Sequence, residues 1–367
     1  MLRHLFLLLG LRIPRFVRQT NYQANAGTYF LEVADFNNDR SLDIVASNNV
    51  SGTISIFYNK GNGRFYSQKI YSTGGKGSDV DTLTVADLNC DGYVDIIAPN
   101  YGLDYIGIFK NKRGGTFAPQ VTLFTGAGSG PISVDTAYLN KDRYPDIVVA
   151  NNKVDNIGVL LSKGPGIFDS MVTYSTGPGS APRSLVLADL NCDHKDDVIV
   201  ANRGGSNIGV LFNQGGGKFG SLTTYSTGAG SSPRAVAVVD LNGDDKLDVV
   251  CINTGTNNIY IFFNSGDGTL SLTKILSTGL APRGVAIANI NNDRKPDIVY
   301  ANSGDDNFAL YANEGFSKFV PQGPYPIGSH SEPYGIAVGD FNHDGRVDIA
   351  TANFGTASVT IFFNAGY

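Results

Sequence analysis

The apolar residues of this chain come in short runs separated by clusters of Gly, Asn, Asp and Ser. One stretch serves as the pattern. An apolar run at Ser184–Ala188 leads into an acidic turn, and a second run occupies Val198–Ala201. A third follows a polar loop at Ile208–Phe212, and a fourth follows a Gly-rich turn at Phe219–Tyr225. Runs this short, bounded by turn formers, predict β-strands, and no long segment carries helical periodicity. Apolar side chains on both faces predict sheets that are covered on both sides.

The same pattern recurs along the whole chain. The segments DFNNDRSLDIV from Asp35, DLNCDGYVDII from Asp87, YLNKDRYPDIV from Tyr138, DLNCDHKDDVI from Asp189, DLNGDDKLDVV from Asp240, NINNDRKPDIV from Asn289 and DFNHDGRVDIA from Asp340 start 52, 51, 51, 51, 49 and 51 residues apart. Four strands per repeat form an antiparallel meander, and radial repetition of such sheets is a propeller. The predicted fold is therefore all-β: a seven-bladed β-propeller of four-stranded antiparallel blades over residues 16–367, preceded by an N-terminal segment, residues 1–15.

The last repeat runs out after its third strand, Val359–Phe363. The absent fourth strand is expected to carry Phe and, six residues on, Tyr, as in Phe65/Tyr71, Phe168/Tyr174 and Phe219/Tyr225. Phe16 and Tyr22 have this spacing, so the N-terminal strand is predicted to complete the last blade and remove an exposed sheet edge. Ahead of it, MLRHLFLLLGL has a basic start and an apolar run too short to span a bilayer. It reads either as a weak signal peptide without a small-residue cleavage site or, because LLLGLRIPRF can be laid over VLFNQGGGKF, as a degraded repeat. No membrane span is expected.

Each acidic turn follows D-x-N-x-D-x-x-x-D, placing side-chain oxygens at positions 1, 3, 5 and 9. The candidate metal ligands are Asp35, Asn37, Asp39 and Asp43 in the first turn and Asp87, Asn89, Asp91 and Asp95 in the second. The third has Asn140, Asp142 and Asp146, and the fourth Asp189, Asn191, Asp193 and Asp197. Asp240, Asn242, Asp244 and Asp248 follow, then Asn289, Asn291, Asp293 and Asp297, then Asp340, Asn342, Asp344 and Asp348. Alternating oxygens on a tight loop suit one hard cation. Calcium, with six to eight oxygens in flexible geometry, fits better than octahedral magnesium. An EF-hand is excluded, because position 12 holds Ala46, Ala98, Val149, Val200, Cys251, Tyr300 or Thr351 instead of Glu, and strands flank the turn. The competing account is that Asp and Asn serve only as turn formers. Five to seven Ca²⁺ ions, mainly structural, are expected. Tyr138 and Asn289 replace Asp at position 1, so the third and sixth sites are expected to be weaker.

Charge and composition narrow the function. A formal net charge of −5 gives no reason to expect a nucleic-acid partner, and the three cysteines are too few for a disulfide framework. The four histidines, His4, His194, His330 and His343, form no catalytic set with a nucleophile, and no phosphate-binding Gly motif opens a helix. Six residues ahead of each turn, where the innermost strand begins, stand Tyr29, Asp81, Ile132, Arg183, Arg234, Arg283 and Tyr334. Arg183, Arg234 and Arg283, in consecutive blades and each after a Pro, are expected to line one side of a central funnel together with Tyr334. Arginine suits bidentate contacts to carboxylate, sulfate or phosphate. The alternative is that these arginines pair internally with acids or carbonyls. Asn202, Asn207, Asn253, Asn257 and Asn302 enrich the loops between second and third strands, where Asn suits sugar hydroxyls or merely turns. Glu32 and Asp135 interrupt apolar first strands at equivalent positions, which is unusual.

The acidic turn, the D-[IV]-[IV]-x-A-N that follows it and the G-x-G-x-F of Gly215–Phe219 together resemble the FG-GAP/VCBS repeat family, related to the propeller of integrin α subunits, over residues 16–367. The resemblance implies calcium binding and an extracellular or cell-surface setting, where millimolar calcium fills even weak sites. The family includes adhesion proteins, lectin-like modules and accessory domains of carbohydrate-active enzymes. The expected function is an extracellular, monomeric, calcium-binding propeller that acts as a protein- or glycan-binding adhesion module, with anionic ligands included. Alternatives are a polysaccharide lyase-like enzyme and a structural segment of a longer repeat array.

Overall fold

The computed structural model describes residues 14–366. Residues 1–13 lie outside it, and the signal-peptide and degraded-repeat readings with them. Seven four-stranded antiparallel sheets follow one another around a central channel. Blades one to six span residues 28–72, 84–124, 131–175, 182–226, 233–277 and 282–326. In blade four the innermost strand is Pro182–Ala188, followed by Asp197–Asn202, Asn207–Leu211 and the outer strand Thr223–Ser226.

Blade seven is a composite. Pro333–Gly339, Asp348–Asn353 and Ser358–Asn364 supply three strands, and Phe16–Gln23 supplies the fourth. Phe16 stands opposite Asn364 and Tyr22 opposite Val359, so the N-terminal strand closes the ring as its spacing predicts.

Burial explains the apolar runs. The second strand of every blade is buried along all six residues. Side chains from adjacent blades interdigitate into shared clusters, as where Ile199 and Val210 of blade four meet Val249 and Phe262 of blade five. Each such side chain contributes roughly 1.5–3 kcal/mol of transfer free energy. The outer strands of blades one to four are shorter than predicted, four residues each, while those of blades five to seven run eight. In blade four Phe219 makes only an isolated bridge to Asn213, and regular pairing resumes at Thr223. Gly220 and Ser221 lie between, and neither supplies a side chain that packs a sheet well.

One backbone detail positions the channel. In blades one, three, four, five and seven the ladder between first and second strands slips by one residue, as between Pro182 and Ser184. The skipped residues are Tyr29, Ile132, Arg183, Arg234 and Tyr334. In blade six the slip covers Arg283 and Gly284. A bulge of this kind re-aims one side chain out of the sheet; Tyr29, Arg183, Arg234, Arg283 and Tyr334 line the central cavity, while Ile132 packs in the core with Leu185.

Candidate functional site

Two features could carry function: the acidic turns on one face and the channel mouth on the other. In the first turn the amide of Asp39 donates to both Asp35 Oδ1 and Asn37 Oδ1 at 3.0 Å, and the amide of Ser41 donates to Asp39 Oδ1 at 2.8 Å. The second, fourth, fifth and seventh turns repeat this frame. Positions 1, 3 and 5 therefore converge on one short stretch of backbone. Position 9 is placed differently. Asp43 is fully buried, with one oxygen accepting the Phe36 amide at 3.1 Å and the other the Asn59 amide at 2.8 Å. Burial, partly offset by those amides, raises the carboxyls of Asp43 and Asp348 to about 7 and those of Asp95, Asp197, Asp248 and Asp297 to about 6.

This all-oxygen donor set suits a hard cation at positions 1, 3 and 5; position 9, expected from the sequence as a fourth ligand, has its carboxylate oxygens on backbone amides, as at Asp43, and braces the turn from beneath. Four turns also hold an internal cation: Lys195, Lys246, Lys295 and Arg346 lie 2.5, 3.9, 3.6 and 2.7 Å from the position-5 carboxylates Asp193, Asp244, Asp293 and Asp344. Among the described residues no group of three or more His, Cys, Asp or Glu side chains is drawn into a metal cage. The third turn is looser than the rest. Tyr138 is exposed, and the Asp142 amide bonds Asn140 Oδ1 with no position-1 oxygen to share it.

A residue outside the motif ties six of the seven turns to the next blade. Asn264 Nδ2 donates to the carbonyls of Leu190 at 2.7 Å and Leu247 at 3.0 Å, linking blade five to the turn of blade four. Asn59, Asn111, Asn213, Asn313 and Asn364 make the equivalent bond to Phe341, Phe36, Leu139, Leu241 and Ile290. Blade three has Ser162 instead. The signal was present: an Asn recurs 16 residues after position 9 in six repeats.

At the channel mouth the bulged residues meet. Arg183 Nη1 donates to Asp81 Oδ2 at 2.6 Å, and Asp81 also accepts from Asn49. The Tyr29 hydroxyl accepts from Arg183 and from Arg234. Arg234 lies between two rings, 5.6 Å from the centroid of Tyr29 and 5.8 Å from that of Tyr334. Arg283 stacks on Tyr334 at 3.8 Å and donates through Nε to Ser303 Oγ at 2.9 Å. Tyr334 is itself stacked on Phe354 at 4.5 Å and meets Tyr29 edge-on at 5.0 Å. The aromatic platform holds the guanidinium planes by cation–π attraction.

The charges do not cancel. Burial opposes the charge on Arg183, but Asp81 and Tyr29 outweigh it and raise its pKa. Arg234 has no carboxylate partner among the described residues. Burial first, then the charge of Arg183, pulls it down to about 9, which leaves it cationic near neutrality. Three guanidinium groups thus face one carboxylate, and internal pairing accounts for Arg183 alone.

Deeper in the same cavity lie Glu32 and Asp135. Asp135 is fixed by the amides of Thr136 at 2.8 Å and Leu187 at 3.0 Å. Burial, and then Asp135, raise Glu32 to about 8. The loop asparagines are structural: Asn202, Asn253 and Asn302 are buried and donate to Asn207, Asn258 and Asn307 at 2.9, 3.0 and 2.8 Å. Asn257 accepts the Ala281 amide at 2.8 Å.

A family model for the FG-GAP-like repeat matches residues 35–98, 91–149, 138–200, 189–251, 240–300 and 289–351. No curated protein sequence matches the chain significantly. Among solved structures, a selenomethionine-substituted virginiamycin B lyase from Staphylococcus aureus superposes with a TM-score of 0.67 at 18% identity, over 95% of this chain and 99% of that one. BBS1N in complex with ARL6DN gives 0.65 at 13%, over 95% and 96%. A putative 6-phosphogluconolactonase from Bacteroides uniformis gives 0.62 at 17%, over 80% and 83%. At these identities the likeness is one of fold.

Proposed function

Because the chain belongs to the FG-GAP-like repeat family, we propose that it is a calcium-stabilised binding module that seats an anionic group of a partner protein or glycan in the mouth of its channel. The observation that carries this reading is Arg234, a cation aimed into the cavity by a bulge, held between Tyr29 and Tyr334, and left without a counter-ion among the described residues. A preorganised guanidinium of this kind forms strong, directional bonds to carboxylate or sulfate. The role of the acidic turns in this reading is mechanical. Positions 1, 3 and 5 hold Ca²⁺, which neutralises their mutual repulsion and stiffens the hairpins that the Asn stitches join to the next blade. An extracellular setting follows from that demand, since calcium is plentiful there.

The test is a glycan and matrix-protein array, with and without calcium, comparing the native chain with the Arg183→Gln, Arg234→Gln, Arg283→Gln triple variant. Binding to sulfated or carboxylated ligands should weaken more than about tenfold, since each lost charge-assisted bond contributes about 1.5–3 kcal/mol. Product release from the glycans should be absent. Undiminished binding by the triple variant, folded as judged by melting, would overturn the reading.

A further inference from the structure

The cavity that contains the arginines has cations at its mouth and buried acids further in, and the two sets do not meet. Its volume is about 220 Å³, and both the mouth residues and the deeper acids line it. The cations come from blades four to six, and Glu32 and Asp135 come from blades one and three. Each acid stands three residues further along its innermost strand than the mouth position of its blade, Tyr29 or Ile132. Three residues of strand correspond to about 10 Å. Among the described residues no ion pair joins Arg234 or Arg283 to Glu32 or Asp135, because the two arcs face each other across and along the channel. Apolar side chains, among them Val236, Val285 and Ile336, line the wall as well.

An anion alone would satisfy one end of this cavity and leave the other desolvated beside it. Partly buried charges and carboxyls left without a partner are costly, so the lining favours a ligand that answers both ends at once. We propose that the channel takes a compact bipolar ligand, an anionic group joined through a short apolar spacer to an ammonium, with the anion on Arg234 and Arg283 and the ammonium on Glu32. This assignment rests on the reading of the mouth as an anion site and specifies the chemistry of what enters it. Asp135 is held by two backbone amides, whereas among the described residues Glu32 takes a single backbone bond, from Val33. Glu32 is therefore the acid able to receive the ammonium, with Asp135 adding negative potential beside it. Burial keeps the Glu32 carboxyl protonated near neutrality, and an ammonium beside it would lower its pKa, so ligand entry there would release a proton.

Calorimetry on the full chain with 6-aminohexanoate, hexanoate and hexylamine tests this. The amino acid should bind more than about tenfold tighter than either singly charged analogue, a difference of about 1.4 kcal/mol or more. Glu32→Gln should reduce the amino acid to the level of hexanoate and leave hexanoate unchanged. On the native chain, 4-aminobutanoate and 8-aminooctanoate should differ from 6-aminohexanoate, because only one spacer matches the cavity; this arm needs no variant. Equal binding of 6-aminohexanoate and hexanoate would overturn the bipolar assignment and leave the anion site standing. Equal binding of 6-aminohexanoate and hexylamine, or no binding by any carboxylate, would overturn both.

Discussion

Asn264 of blade five reaches across a blade boundary to donate to the carbonyl of Leu190, inside the acidic turn of blade four. The contact, repeated at six of the seven boundaries, makes each of those turns part of two blades. Rigidity introduced at a turn is passed to its neighbour through a buried hydrogen bond, not through the flexible loop.

Asn264→Ala should therefore destabilise the ring by about 1–3 kcal/mol, because the carbonyls of Leu190 and Leu247 lose a buried donor. Chemical denaturation at fixed calcium measures it. A change below about 0.5 kcal/mol would show that water replaces the amide.

Calcium should raise the melting temperature and EDTA lower it, since each ion bound only by the native state adds RT ln(1 + [L]/Kd). The gain should be unequal among turns. Asp244→Ala removes a central oxygen from a turn framed by Asp240, while Asp142→Ala strikes the turn that Tyr138 already loosens. The first variant should lose more of the calcium-dependent stabilisation. Equal losses would mean that carboxylate number does not rank the sites.

Much of this architecture is legible in the sequence because it repeats. A turn that needs oxygens at fixed offsets cannot drift, so Asp and Asn mark each copy, and the Phe16/Tyr22 spacing reveals the closing strand. The outer strands are harder to delimit: Phe219 looks like a strand start, yet Gly220 and Ser221 break the ladder behind it. Which arginine pairs internally is not legible either. Arg183, Arg234 and Arg283 occupy identical places in their repeats, and only the neighbour supplied from across the channel, Asp81, singles out Arg183. The loop asparagines mislead for a similar reason, since Asn202 and Asn207 satisfy each other within one hairpin.

Deleting residues 1–22 should open the ring. Phe16 packs edge-on against Phe308 at 5.5 Å and Tyr325 at 5.0 Å, and its strand covers the edge of Ser358–Asn364. The shortened chain should aggregate or dimerise in light scattering and lose amide protection in that strand, whereas a chain lacking only residues 1–14 should remain monomeric. Full protection after the longer deletion would refute closure by this strand.

Stability should depend on Glu32 as pH rises from 4.5 to about 8. Its carboxyl rises from an ordinary 4.5 to about 8 in the fold, so between those values the native state binds the proton that the unfolded chain has lost. Stability from this group is present at low pH and declines as pH rises through that window. Glu32→Gln cannot ionise, so it should lose less stability than the native chain between pH 5 and about 9 in parallel denaturation series. Identical slopes would place Glu32 in a more polar setting.

The composite seventh blade also sets the order in which the protein is made. Residues 16–23 are synthesised well ahead of their partner, residues 358–364. Six blades have all their strands in local sequence and can form as they emerge, while strand 16–23 waits until all six have been made for the edge it will cover. Joining is thus the slowest, most non-local step of assembly. During that interval strand 16–23 is unpaired, and the edge of residues 358–364 stays open until the two join, so the period of greatest risk for misassociation falls after the six local blades have formed, not before.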